Sequence, residues 1–212
     1  MKRAMLCILI VTALTADAAQ AQTWRHAPKV VVISPAGDSR LRAVDEAVAF
    51  WNSTLQEIGS GLRLGPVVRM VRPIPEEALQ QLSTSVLSNR GRTADFPAAL
   101  RDLPDDITIF LALSEFVSFA SPFNENGKRI VGIRGASFPP MNLPNVARNV
   151  IAHELGHAIG LRHNSDPTTL MCGRPSPCRP AVFRSDQPRM FPLTGAEKSL
   201  LLAMYPSQWK SR

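Results

Sequence analysis

The sequence predicts an α+β domain. Three observations carry that prediction: separate runs rich in β-branched residues, segments whose apolar residues recur every three or four positions, and a histidine pattern that a helix followed by a sharp turn brings together.

The elements follow in chain order. Lys2 and Arg3 precede an apolar run from Ala4 to Ala13, and the small-residue pattern Ala19-Gln20-Ala21 comes next. These are the parts of a secretory signal peptide, so residues 1–21 are expected to be removed. Residues 22–212 then form one mature domain, expected to be a monomer, secreted from the cell or held in a periplasm. The apolar run falls short of the roughly 20 residues that span a bilayer, and no later stretch approaches that length. A strand-like run begins at Lys29, which leaves no evident pro-segment.

Lys29-Val30-Val31-Val32-Ile33, bounded by Ser34-Pro35, reads as a buried strand. From Ser39 to Ile58 the residues Leu41, Val44, Val48, Trp51 and Leu55 keep helical spacing, and Gly59 and Gly61 end the run. Leu62 to Val71 reads as a second strand stopped by Pro73 and Pro75, and Glu76 to Asn89 is polar and helix-leaning. Asn89-Arg90-Gly91 reads as a loop, and Asp106 to Ala112 as another buried strand. Asn145 to Ala158 reads as a helix entered through Pro144, with Asn142 or Asn145 as its N-cap and Val146, Val150 and Leu155 on its apolar face. At the C-terminus, Leu193-Thr194-Gly195-Ala196-Glu197 opens a helix carrying Leu200, Leu201 and Met204 that ends at Tyr205-Pro206.

The chemistry is concentrated in His153-Glu154-Leu155-Gly156-His157-Ala158-Ile159-Gly160-Leu161-Arg162-His163, which fills every fixed position of H-E-x-x-H-x-x-G-x-x-H. Chance would produce this pattern in a chain of this size on the order of once in 10^5 sequences. On a helix, His153 and His157 project from one face within reach of a single ion, with Glu154 at its edge. Gly160 takes the left-handed turn that ends the helix and brings His163 round as a third ligand. Three nitrogens leave the fourth position of a tetrahedral zinc for water, whose pKa the metal lowers toward about 7. Glu154 is neither a ligand nor an apolar packing residue, so its expected role is general base toward that water and then proton donor to the leaving group.

Other function classes fit less well. The formal charge is +7, or +6 once Lys2, Arg3 and Asp17 are removed, but the arginines are scattered and aromatic residues make up only 6%. With no basic run, nucleic-acid binding is not expected. A secreted zinc-binding module without catalysis has no use for Glu154, whereas a small-molecule amidase or esterase stays open as the alternative, because zinc-water chemistry does not demand a peptide.

Met171 stands eight residues beyond His163 in Asp166-Pro167-Thr168-Thr169-Leu170-Met171. The zinc motif followed at this spacing by Asp-Pro-x-x-Leu-Met resembles the metzincin zinc proteases, and among them the matrixins, the matrix-metalloprotease family. That resemblance implies a metzincin-like (zincin-like) domain: a twisted mixed β-sheet packed on helices, an active-site helix, and a Met-turn in which Met171 forms an apolar floor beneath the histidines. It also implies a peptide or protein substrate. Ser121-Pro122-Phe123-Asn124 and Gly132-Ile133-Arg134-Gly135-Ala136-Ser137-Phe138-Pro139 look like the family's edge strand above the cleft. On that likeness Ile130 to Ala136 is expected to be an exposed edge strand, with Gly132, Ile133, Arg134 and Gly135 along the substrate. Trp51 is similar to a tryptophan of the family's first helix, and the C-terminal helix to its closing helix.

The chain departs from the family in three places. Gly135 stands near the histidine that holds a structural zinc, so one catalytic Zn2+ is expected; calcium sites are left open. No pro-segment cysteine matches. Gly173 occupies the place where some metzincins carry a tyrosine that stabilises the intermediate. Cys172 and Cys178 both survive signal-peptide removal, and an even pair in an exported protein reads as a disulfide. The loop it closes contains Pro175 and Pro177 and, by the resemblance, forms one wall of the primary specificity pocket.

Overall fold

The structure is a computed structural model that describes residues 23–88, 94–173 and 187–210. Residues 1–21, expected as a signal peptide, the loop expected at Asn89-Arg90-Gly91, and Cys178 with its neighbouring prolines lie outside the described residues.

Four consecutive buried β-branched residues can be satisfied only in the middle of a sheet, and β1 (Val30–Ile33) lies there. It is flanked in parallel by β2 (Val67–Met70) and β3 (Ile107–Leu111), with Val30 opposite both Val67 and Ile107. Next comes β5 (Arg129–Ile133), parallel to β3, and then β4 (Phe119–Ala120), antiparallel to β5. The order is therefore β2-β1-β3-β5-β4, a mixed sheet as expected.

Alternation along the strands divides the core. Val30, Val32, Ile107, Ile109, Leu111, Val131 and Ile133 join one apolar cluster with residues of α1 (Leu41–Glu57), α3 (Pro144–Ala158) and α4 (Gly195–Met204). Val31, Ile33, Phe110 and Ile130 belong to a second cluster with Ala78, Leu79 and Leu82 of α2 (Glu76–Ser88). The histidine motif lies on the side of the first of these, where α3 packs on α1, β4 and β5.

Three local expectations are corrected. The predicted strand from Leu62 forms a ladder only from Val67, because Asn52 of α1 supplies the bonds a neighbouring strand would give: its Oδ1 accepts from the Leu64 N–H at 2.8 Å and its Nδ2 donates to the Leu64 carbonyl at 3.1 Å. Helix α3 has Leu143 as N-cap with no side-chain cap, and Pro144 follows at the first turn, where a missing N–H costs nothing. Asn145 is committed elsewhere. Its Nδ2 donates to the Gln187 carbonyl at 2.6 Å and its Oδ1 accepts from the Arg189 N–H at 3.1 Å. One turn on, Asn149 repeats the pattern with the Arg189 carbonyl at 2.7 Å and the Phe191 N–H at 2.8 Å. Two asparagines thus fasten the 187–191 segment along α3.

The third correction concerns the substrate strand. β5 is not an edge: Val131 and Gly132 pair with β3 on one side and with Ala120 and Phe119 of β4 on the other. The covering continues at both ends. Ser121 N–H donates to the Ile130 carbonyl at 2.8 Å, and the Arg134 N–H donates to Ser118 Oγ at 3.2 Å. Arg134 is further engaged through its guanidinium to Glu115 at 2.8 Å, and Gly135 through its N–H to the Ser114 carbonyl at 2.9 Å. A Cβ at Gly132 would sit 2.4 Å from the Phe119 ring, so glycine is what lets β4 lie this close. The sheet edge on this side is β4, two residues long and too short to leave a period in the sequence.

Candidate metal centre

Helix α3 carries His153 and His157 one turn apart, and its end is built to deliver His163. Gly160 has φ of +107°, its N–H donates to the His157 carbonyl at 3.0 Å, and the Leu161 N–H donates to the Gly156 carbonyl at 3.0 Å. This is the paired 5→2 and 6→1 bonding of a Schellman motif, with Leu161 buried against the core.

The three imidazoles converge through their Nε2 atoms. His153 and His163 are 3.1 Å apart, His153 and His157 3.1 Å, and His157 and His163 2.9 Å. Neighbouring nitrogens on a tetrahedral ion with bonds of 2.0–2.1 Å stand roughly 3.3 Å apart, so the triangle fits one metal. The opposite ring atoms explain how the two helical rings are turned so that these nitrogens face one point. His153 Nδ1 lies 2.7 Å from the Leu170 carbonyl and His157 Nδ1 2.8 Å from the Leu161 carbonyl. A carbonyl only accepts, so each Nδ1 carries the proton and each Nε2 presents a lone pair. Desolvation by burial, with His163 second, pushes the His157 pKa down to about 4, which keeps this ring neutral at ordinary pH.

Glu154 is buried beside His153 on the same helix. Met171 is fully buried, and its sulfur would lie 2.5 Å from a Cβ at Gly156, with Trp51 at 2.8 Å from the same point. Glycine between the two helical histidines therefore makes room for both side chains. Gly173 has a comparable reason, since a Cβ there would meet His163 Cβ and Cγ at 2.8 Å. No side chain of tyrosine size fits in that direction.

Residues that the motif does not contain hold the site in place. Asn164 follows His163; its N–H donates to the Met171 carbonyl at 2.9 Å and its carbonyl accepts from Gly173 N–H at 2.9 Å. Its side chain donates to Glu197 of α4 at 2.6 Å and to Thr169 Oγ1 at 2.8 Å. Three distant donors cap the end of α3: Arg129 to the His157 carbonyl at 3.0 Å, the Trp24 indole to the Ala158 carbonyl at 2.9 Å, and the Tyr205 hydroxyl to the Ile159 carbonyl at 3.0 Å. Burial lowers the Arg129 pKa to about 10, still charged at neutral pH, and raises that of Tyr205. The cation suits the negative end of the helix dipole. No local pattern announces these partners, because Trp24 and Ala158 are 134 residues apart and Tyr205 and Ile159 46.

Among the described residues, His153, His157 and His163 form the one group of three or more potential metal ligands, all within 4.8 Å of one another. No helix of the described residues is long and apolar enough to cross a membrane.

The family model for Matrixin matches residues 117–187, which include β4, β5, α3 and the three histidines. A comparison with curated proteins found no match. Among solved structures the chain is similar to archaemetzincin from Methanopyrus kandleri, at 18% identity over 85% of this chain and 96% of that one, with a TM-score of 0.42. The matrixin match falls on the segment where the histidines meet, and that match with the converging histidines supports a metzincin-like zinc metallopeptidase.

Proposed function

We propose that this metzincin-like chain is an exported, zinc-dependent endopeptidase that cleaves peptide bonds in proteins. The convergence of three Nε2 atoms within 2.9–3.1 Å of one another, with Glu154 buried next to the first of them, carries the reading. His153, His157 and His163 would hold the ion, since three imidazole nitrogens converging on one point suit zinc. When bound, zinc acidifies water and polarises a carbonyl. Glu154 accepts a proton at its carboxylate and returns it to the departing amine. Its burial limits the positions its side chain can take beside His153.

An extended substrate pairs with the outer edge of β4, which packs beside α3. This takes the place of the role expected for Gly132, Ile133, Arg134 and Gly135, whose backbone groups are covered. Residues 1–21 direct export. In the oxidising compartment reached, Cys172 and Cys178 form a disulfide just beyond Met171 in the sequence. Mass measurement after alkylation of the denatured, non-reduced protein checks the bridge: no alkylated cysteine is expected in the mature chain, and two would refute it.

The deciding experiment is Glu154→Gln in the purified mature protein. Peptide hydrolysis is expected to fall by about 10^2 to 10^4-fold, the usual contribution of a general base. Metal content stays at one zinc per chain. Activity within a few-fold of wild type would overturn the mechanism. Cleavage of small acyl amides or esters without any cleavage of peptides would assign the alternative.

A further inference from the structure

We infer that helix α2 is a brace that sets the position of the substrate-bearing strand β4, with Glu76 as its principal positioning residue. The inference rests on the reading that an extended peptide pairs with β4.

A two-residue strand has little orientation of its own, since its ladder with β5 is only Phe119 to Gly132 and Ala120 to Val131. Its direction is set by the connection that precedes it, residues 112–118, which leaves β3 and crosses the C-terminal end of the sheet. Residues Glu76, Gln80 and Ser83 share one face of α2 at i, i+4 and i+7, and each reaches the backbone of that connection. The Glu76 carboxylate accepts from the Leu113 N–H at 2.8 Å and the Ser114 N–H at 3.0 Å, and also from the Ser114 hydroxyl. Gln80 donates to the Glu115 carbonyl at 3.5 Å, and Ser83 Oγ to the Val117 carbonyl at 2.8 Å.

The opposite side of the connection is held by the continuation of β5. Ala112 N–H donates to the Ile133 carbonyl at 2.9 Å, Gly135 N–H to the Ser114 carbonyl at 2.9 Å, and the Arg134 guanidinium to the Glu115 carboxylate at 2.8 Å. A Cβ at Gly135 would stand 2.3 Å from the Leu113 carbonyl oxygen, so that residue is glycine because the connection presses on it. α2 itself is immobilised from beneath. Ala78, Leu79 and Leu82 share an apolar cluster with Phe110, Phe116 and Phe119, the last being half of β4. The helix therefore grips the edge strand twice, through the backbone before it and through its own aromatic residue.

Glu76 dominates because its bonds are charge-assisted and serve two consecutive N–H groups at once. In Glu76→Gln only one side-chain oxygen remains to accept, so one of those N–H groups loses its partner. Loss of such a bond corresponds to about a tenfold change in an equilibrium.

The test compares the wild-type mature zinc protein with Glu76→Gln and Ser83→Ala, using one extended peptide substrate and hydrogen exchange. In Glu76→Gln the expected KM is about tenfold higher, with kcat within twofold, zinc content unchanged, and exchange at the amides of residues 113–120 about tenfold faster while those of α3 keep their protection. Ser83→Ala is expected to move the same quantities in the same direction by a smaller factor, and it carries the test if the Glu76 variant does not fold. Unchanged exchange in residues 113–120 would overturn the brace. Faster exchange with an unchanged KM would overturn its role toward substrate. No peptide cleavage by the wild-type protein would instead refute the endopeptidase reading, which the Glu154 variant tests separately.

Discussion

A single proton on each imidazole decides whether the centre is ready for metal. His153 and His157 give theirs to the carbonyls of Leu170 and Leu161, and burial holds the His157 pKa at about 4 against 6.5 for the unfolded side chain. A group whose folded pKa is depressed lends stability above its unfolded value and loses it as pH falls toward its folded value. The metal-free protein is therefore expected to lose melting temperature as pH drops from about 6.5 to about 4, and His157→Gln to flatten that slope. Thermal scans of both proteins across this window check it; parallel slopes would refute the assignment. The motif itself was legible because its fixed positions lie within one helix and one turn, where spacing alone dictates geometry. Gly156 and Gly173 were legible only as letters. Their reasons, the Met171 sulfur with Trp51 and the His163 ring, come from segments that the spacing rules do not connect.

Elements with several turns of regular spacing formed where the sequence placed them, as α1 and α3 illustrate. The failures belong to elements whose partners are remote. β4 has two residues and exists because β5 is there to pair with it, so the edge was expected one strand too far along the chain. The Leu62–Gly65 stretch has a strand's composition, yet Asn52 satisfies its backbone at Leu64. Helix α4 offers an element-level test. Thr194 caps it and Glu197 completes the capping box, while Glu197 also receives the Asn164 amide. Thr194→Ala is expected to cost about 1 kcal/mol. Glu197→Ala is expected to cost more, by roughly 1–3 kcal/mol, because it also strips the partner from Asn164 beside the third histidine. Denaturant titration of both variants measures the difference, and equal losses would show that the link from α4 to His163 contributes nothing.

Across the whole molecule, the active-site helix ends where three remote pieces of chain meet: Trp24 from the first described residues, Arg129 from the sheet, and Tyr205 just past the last helix. Tyr205→Phe removes the hydroxyl that serves the Ile159 carbonyl and also the partner of the Trp24 N–H. The expected loss is roughly 1–3 kcal/mol, together with faster surrender of zinc to a chelator, measured as a release rate. An unchanged release rate would show that the cap does not reach the histidines. The same arrangement sets a timetable for synthesis. Trp24 and Tyr205 bond across 181 residues, so a growing polypeptide lacks the last clamp on its metal-bearing helix until Tyr205 has emerged. Firm retention of a metal is thereby tied to the arrival of Tyr205, and a chain that stops short of it is a poor keeper of metal however well its histidines are placed.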